Sequence, residues 1–152
     1  MEIERKFIVE EIPFELDQYT YSTIQQAYIH TTPTIRIRKR NNQYILTLKS
    51  KGGLLRHELE MPINIDEYES LIAKKEGRLI EKKRYEIPLE RGLIAELDLF
   101  EGELAPLKYV EVEFSSVDEA KAFKAPDWFG EEVTEDYRYT NQALATLDQS
   151  NK

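Results

Sequence analysis

The feature that most constrains the fold is a set of seven short segments in which apolar residues alternate with polar ones. This period of two is typical of β-strands, because successive side chains of a strand point to opposite faces of the sheet. The segments cover residues 2–9, 35–38, 44–49, 58–63, 82–89, 95–99 and 110–114. Residues 23–30 form a weaker eighth segment, and turn signals such as Asn41-Asn42 separate several of them. The sequence therefore predicts a fold dominated by antiparallel strands.

Only a few helices are predicted beside the strands. Residues 66–75 carry an apolar face and stop near Gly77. Ser116-Val117-Asp118-Glu119 is a capping-box pattern, and it opens a helix that Pro126 must end. Residues 141–147 can form a short terminal helix. Since the 152 residues contain neither a linker nor a repeat, we expect an α+β protein with a single domain over residues 1–152.

The composition argues against several classes of function. Lysine and arginine number 21 against 29 aspartates and glutamates, a net charge of −8, whereas binding to duplex nucleic acid or to an anionic membrane needs a basic surface. The absence of cysteine removes disulfides, thiolate metal sites and a cysteine nucleophile, and two histidines are too few for a usual zinc site. The amino terminus is acidic where a leader would be basic, so a cytoplasmic protein is expected. The sequence makes no prediction about its oligomeric state.

The charged positions of the strands are sorted by sign. Acidic residues two positions apart occur at Glu2/Glu4, Glu58/Glu60, Glu96/Asp98 and Glu111/Glu113, and basic residues do so at Arg36/Arg38 and Lys82/Arg84. Same-face neighbours on a strand lie ~6.5 Å apart. At that distance like charges repel by roughly 2.5 kcal/mol at an effective dielectric constant of about 20. A solvated sheet face accounts for the alternation in any one strand, but mixed signs would suit such a face better.

Strand faces whose charges are sorted by sign are also suited to binding a charged ligand. Clusters of carboxylates bind hard divalent cations, and clusters of basic residues bind phosphate oxygens. About eight antiparallel strands can close into a barrel that holds one small ligand, provided that helices cover the apolar faces outside. Two interpretations therefore stay open: a solvated sheet face and the interior of a metal–polyphosphate site. The sequence contains neither a P-loop nor a nucleophile elbow.

Seven short motifs occur in order along the chain. They are Glu2-Ile3-Glu4-Arg5-Lys6, Arg36-Ile37-Arg38, Thr47-Leu48-Lys49, Glu58-Leu59-Glu60, Lys82-Lys83-Arg84, Glu96-Leu97-Asp98 and Glu111-Val112-Glu113. In this order they resemble the signature of the CYTH superfamily, the triphosphate tunnel metalloenzymes, and residues 133–141 are similar to that family's closing segment. The resemblance covers nearly the whole chain, and it is greatest to the small bacterial members that cleave inorganic triphosphate.

The resemblance implies an eight-stranded antiparallel β-barrel, the triphosphate tunnel, with a few short covering helices. It implies an enzyme that uses Mg²⁺ or Mn²⁺ to hydrolyse inorganic triphosphate to pyrophosphate and phosphate. Other members of the family are nucleoside or thiamine triphosphatases and class IV adenylyl cyclases, so these activities stay open as alternatives. A protein that binds triphosphate-bearing ligands without cleaving them is a further alternative from another functional class.

The resemblance also implies roles for individual residues. The expected metal ligands are Glu2, Glu4, Glu111 and Glu113, with Glu58, Glu60 and Asp98 as weaker candidates whose other role is to orient the basic residues. The expected phosphate-binding residues are Lys6, Arg36, Arg38, Lys49, Lys82, Arg84 and Arg138. Lys6 and Tyr28 are the candidate catalytic residues that handle a proton. The alternative for Lys6 is a phosphate contact alone, and the alternative for Tyr28 is a packing role.

Overall fold

A computed structural model describes residues 3–50 and 57–146 of the chain. Its strands are β1 (Ile3–Ile8), β2 (Tyr21–Thr31), β3 (Thr34–Arg40), β4 (Gln43–Lys49), β5 (Glu58–Pro62), β6 (Glu76–Pro88), β7 (Ile94–Phe100) and β8 (Lys108–Phe114). They form one eight-stranded sheet in the order β1-β8-β7-β6-β2-β3-β4-β5. The predicted α+β class and the eight antiparallel strands are confirmed. This order of the described strands ends at β1 and β5, and closure into a barrel stays a prediction.

The predicted helices are present with small differences at their ends. They are α1 (Ile65–Ile72), α2 (Val117–Ala122) and α3 (Asn141–Thr146), with 3₁₀ turns at Leu16–Gln18, Glu90–Gly92, Gly102–Leu104 and Tyr137–Tyr139. A capping box between Asn64 and Glu67 begins α1, and the Ser116 side chain begins α2 by accepting a hydrogen bond from the Glu119 amide. Residue 147 of the predicted terminal helix lies outside the described residues. Within residues 3–50 and 57–146, no helix is both long enough and apolar enough to cross a membrane.

The chain divides into two compact units, each assembled from segments that are distant in sequence. The first contains residues 1–22 and 82–136, and the second contains residues 23–81 and 137–152. In the first unit, Phe7, Leu97 and Val112 belong to a buried apolar cluster that Phe129 joins from beyond α2. Since strand side chains alternate between faces, the charged residues between these positions face the other side of the sheet.

Residues 132–134 lie beside β1 and fix the position of this strand in the first unit. The Val133 amide donates to the Lys6 carbonyl at 2.8 Å, and the Lys6 amide donates to the Thr134 hydroxyl at 3.0 Å. The Arg5 side chain donates to both carboxylate oxygens of Glu132, at 2.9 Å and 2.6 Å. These contacts hold the strand that carries Glu4 and Lys6, two of the predicted site residues.

The second unit places its apolar residues between strands and helices. Ala27, Ile37 and Tyr68 form a buried cluster, and Tyr68 belongs to α1, which packs against β3. Gly77 at the start of β6 has a positive φ of 73°, and a Cβ there would meet the Ala145 carbonyl oxygen at 2.0 Å. A glycine is therefore required where α3 approaches β6.

Candidate active site

The first unit has a charged face that is buried at its centre, whereas Glu4 and Glu113 of the same face are exposed. Strand register places Glu4 opposite Glu113, Lys6 opposite Glu111, Glu96 opposite Glu111, and Arg84 opposite Asp98. Residues opposite each other on antiparallel strands share a face, with Cβ atoms about 4.5–5.5 Å apart. The relative exposures are 0% for Lys82 and Asp98, 8% for Arg84 and 9% for Glu111. A solvated sheet face therefore does not describe the positions of these last four residues.

Asp98 binds two cations at the centre of this face. Its Oδ1 accepts from Arg84 Nε at 2.8 Å, and its Oδ2 accepts from Arg84 Nη2 at 3.0 Å and lies 2.8 Å from Lys82 Nζ. Burial raises the pKa of Asp98, but Lys82 and Arg84 outweigh burial and lower it to about 2. Both carboxylate oxygens are engaged, which favours the orienting role over the metal-ligand role for this residue.

Lys6 and Glu111 form a second contact on the same face. Lys6 Nζ lies 3.2 Å from Glu111 Oε1 and 4.4 Å from the centre of the Tyr109 ring. Glu96, opposite Glu111, has its Oε2 3.5 Å from Arg84 Nη1. Burial lowers the pKa of Arg84. The nearby carboxylates outweigh burial and raise the pKa above its ordinary value, with the largest effect from Asp98 and smaller ones from Glu96 and Glu111. The sequence predicts no role for Glu96, although its spacing from Asp98 marks it as half of an acidic pair.

The predicted metal ligands are only partly within the described residues. Glu4 and Glu113 lie directly opposite each other, so two carboxylates from neighbouring strands share one position in the sheet. Carboxylate oxygens are the donors that a hard divalent cation takes, so this donor set fits such a cation. Across residues 3–50 and 57–146, no group of three or more acidic or histidine side chains forms a complete metal site. Glu2 lies outside those residues, and the full ligand set stays a prediction.

The second unit has a face rich in cations. β3 places Arg36 opposite Tyr28 and Thr47, and Arg38 opposite Gln26. Arg36 Nη2 donates to Thr47 Oγ1 at 3.4 Å, and Arg38 Nε donates to Gln26 Oε1 at 2.9 Å. These contacts join predicted phosphate-binding residues to neutral polar side chains. Gln26 is completely buried and was not predicted from the sequence, because it carries no charge and lies in the weakest strand signal.

Tyr28 is 5% exposed on this second face. Burial raises the pKa of its hydroxyl above the ordinary value of 10.0, against the opposing effects of Arg36, which is hydrogen-bonded to it, and of Arg38. The phenol is therefore protonated near neutral pH. Lys6 and Tyr28 lie in different units of the chain, and their predicted partnership stays a prediction.

The remaining predicted residues lie at more exposed positions of the second unit. Glu58 and Glu60 of β5 are exposed, with Glu58 opposite Lys49 and Glu60 opposite Thr47. Arg138 is exposed in the 3₁₀ turn, with its guanidinium carbon 5.8 Å from the centre of the Tyr139 ring. These positions agree with the order of the motifs but do not by themselves assign a ligand.

Comparisons with known proteins agree with the resemblance of the motifs. Residues 1–149 match the CYTH domain family. An inorganic triphosphatase of Nitrosomonas europaea is 50% identical over 149 residues, covering 95% of this chain and 96% of that protein. An inorganic triphosphatase of Acetivibrio thermocellus is 37% identical over 147 residues, covering 94% and 92%.

Solved structures of related proteins agree with these sequence comparisons. The crystal structure of the inorganic triphosphatase NE1496 has a TM-score of 0.79 and 44% identity, and the match covers 97% of this chain and 96% of that one. The structure of HpAC1 from Hippeastrum is 19% identical with a TM-score of 0.58, over 80% of this chain and 83% of that one. At that identity the second likeness concerns the fold alone.

Proposed function

This chain belongs to the CYTH domain family, and from that membership we propose that it hydrolyses inorganic triphosphate to pyrophosphate and phosphate. The structural observation that carries the proposal is the burial of charged side chains, led by Lys82, Arg84 and Asp98, on the face opposite an apolar core. Its support from relatives is 50% and 37% identity to two inorganic triphosphatases. The same family match, over residues 1–149, supports a single domain, and a cytoplasmic location stays a prediction from composition.

Each of the two charged faces carries cations that suit phosphate oxygens. We propose that the triphosphate oxygens are bound by Lys6, Arg36, Arg38, Lys49, Lys82, Arg84 and Arg138. Charge-assisted hydrogen bonds to phosphate are shorter and stronger than neutral ones. Phosphoryl transfer is accelerated mainly by positioning and by stabilising the charge on the equatorial oxygens, which is what arginine and lysine side chains supply.

The family implies a divalent metal, and we propose Mg²⁺ or Mn²⁺. The residues proposed to hold it are Glu2, Glu4, Glu111 and Glu113, with Glu58 and Glu60 as weaker candidates. When bound, such a cation supplies neutralisation of the triphosphate charge and activation of water. Asp98 is proposed only to orient Lys82 and Arg84, because both of its oxygens already bind those cations.

In the reaction the attacking water gives its hydroxyl to the terminal phosphorus and its proton to the pyrophosphate that leaves. Tyr28, whose phenol is protonated near neutral pH, acts in this proposal as a hydrogen-bond donor to an oxygen on the path of that proton. Lys6 is held by Glu111 and lies over the Tyr109 ring, so its Nζ has a fixed position from which to contact a phosphate group or the proton in transfer.

Hydrolysis of a small panel of substrates tests the proposed function. Inorganic triphosphate, ATP and thiamine triphosphate are each supplied with Mg²⁺, with Mn²⁺ and with excess chelator, and the products are identified by phosphorus NMR. We expect inorganic triphosphate to be cleaved fastest, with equal amounts of pyrophosphate and phosphate, and no turnover in chelator. Faster cleavage of ATP, or cyclic AMP as a product, would establish an alternative activity instead. Undiminished hydrolysis in chelator would exclude the metal.

A further inference from the structure

Gln26 is a buried amide beside one of the predicted phosphate-binding arginines. It has no exposed surface, and its Oε1 accepts a hydrogen bond from Arg38 Nε at 2.9 Å. Its Nε2 is also buried, and in the described part of the chain it has no hydrogen-bond partner. The amide orientation is set by Arg38, because the opposite orientation would place two N–H donors against each other.

Stability alone does not account for an amide at this position. A buried donor without a partner costs about 1–3 kcal/mol. Ile24 lies two positions earlier on the same face of β2 and is also completely buried, so this part of the strand accommodates an aliphatic side chain. An aliphatic residue at position 26 would remove the unpaired donor, so the presence of an amide points to its other contact, with Arg38.

The contact constrains Arg38 without neutralising it. A guanidinium group is planar, so a hydrogen bond to Nε fixes the plane in which its terminal nitrogens donate. Arg84 is fixed in the same way through Nε, but its acceptor is the carboxylate of Asp98. The amide of Gln26 is neutral, so this hydrogen bond orients Arg38 without adding a negative charge.

We propose that Gln26 is a positioning residue that holds Arg38 in the orientation for binding a phosphate group of the substrate while preserving its positive charge. This inference rests on the proposed function, and it adds a residue outside the seven motifs. It acts through Arg38, so its effect on activity requires that arginine.

A double-mutant cycle tests the proposal. In the wild-type background, Gln26→Leu should lower kcat/KM for inorganic triphosphate about tenfold, chiefly through KM, because Arg38 loses its orientation. In an Arg38→Ala background the same change should have an effect of less than about twofold. The melting temperature should hold steady or rise, because the unpaired donor is removed. Equal losses of activity in both backgrounds, together with a lower melting temperature, would mean a merely structural role.

Two further variants sharpen the test. Gln25→Leu is the matched control, because Gln25 neighbours Gln26, points to the other face and donates to Glu81 at 3.2 Å. It should leave KM unchanged. Gln26→Glu keeps an acceptor for Arg38 Nε but adds a negative charge, and we expect it to raise KM about tenfold. Wild-type KM for Gln26→Glu would contradict the requirement for a neutral acceptor.

The outcome also separates this inference from the proposed function. If the wild type cleaves triphosphate and Gln26→Leu has the same KM, the inference fails while the function stands. If the wild type binds triphosphate in calorimetry without cleaving it, the proposed function fails. The Kd of triphosphate for the variants of the Gln26→Leu and Arg38→Ala cycle then tests the role of Gln26. If the wild type neither binds nor cleaves triphosphate, both fail.

Discussion

The charged faces of the two units hold their arginines with different kinds of acceptor. Arg84 is 8% exposed and donates twice to the carboxylate of Asp98. Arg36 and Arg38 are only half-buried, and they donate to the hydroxyl of Thr47 and the amide of Gln26. A deeply buried charge requires a counter-charge, whereas a partly solvated one keeps part of its hydration. The greater burial of Arg84 therefore accounts for its carboxylate partner.

The same contrast indicates that the two charged faces suit different ligands. On the first face carboxylates outnumber cations, and Glu4 opposite Glu113 offers paired oxygens that suit a divalent cation. On the second face Arg36 and Arg38 donate to the neutral side chains of Thr47 and Gln26, and the carboxylates of Glu58 and Glu60 on the neighbouring β5 are exposed. The second face is therefore suited to phosphate, and the first to phosphate together with a metal ion.

The largest effect is expected when the buried ion cluster loses its anion. Asp98→Asn leaves Lys82 and Arg84 buried without their counter-charge, and removing one partner of a buried ion pair destabilises a protein by about 3–5 kcal/mol. Urea unfolding of both proteins at neutral pH measures this difference. Glu60→Gln is the matched control, because Glu60 is exposed on the other charged face and its change should stay within about 0.5 kcal/mol. A loss for Asp98→Asn as small as that of the control would contradict the account of the cluster.

Acid should weaken the same cluster over a defined range of pH. The pKa of Asp98 is lowered from 3.8 to about 2 in the folded protein, a shift on the order of 2 kcal/mol. Because the folded pKa is the lower one, this stabilisation is complete above the unfolded pKa and is lost as pH falls from about 4 to about 2. The free energy of unfolding should therefore fall more steeply with acid in the wild type than in Asp98→Asn. Parallel slopes for the two proteins would show that Asp98 does not contribute in this way.

The smallest effect on stability is expected for the paired glutamates. Glu113→Gln removes the like charge opposite Glu4, so the melting temperature without metal should hold steady or rise slightly. In the proposed function the same variant loses metal binding and activity. Thermal melts with and without Mg²⁺, combined with phosphate release, measure both effects. An active Glu113→Gln enzyme whose melting temperature responds to Mg²⁺ like the wild type would remove Glu113 from the metal ligands.

Much of the fold was predictable because its signals are local. The alternation of apolar and charged residues in segments such as 95–99 and 110–114 marks both the strand and its two faces. β2 gave a weaker signal because its buried positions include Gln26 and Ala27 as well as Ile24, which interrupts the alternation. Residues 76–81 extend β6 beyond the predicted start at residue 82, because Leu79 and Ile80 lie side by side and give no period of two.

The contacts within the candidate site were less predictable because they depend on strand register. The spacing of Glu96 and Asp98 indicated an acidic pair, but only the pairing of β6 with β7 places Asp98 against Arg84. Charge patterning cannot indicate Gln26, because its side chain is neutral and its contact with Arg38 depends on the register of the next strand. Site residues were thus predictable by type and motif, whereas their partners required the structure.

The most direct test of the central claim compares triphosphate hydrolysis by Arg36→Ala and Arg84→Ala, one change on each charged face. Each should lower kcat/KM at least about tenfold, because each removes a charge-assisted contact worth roughly 1.5–3 kcal/mol. Lys39→Ala and Lys83→Ala are the matched controls, since these lysines lie on the same strands but over Tyr44 and Tyr21 on the other faces. The account predicts that the two lysine variants keep wild-type rates while both arginine variants fall. Wild-type hydrolysis by either arginine variant would contradict the claim that its face binds the substrate.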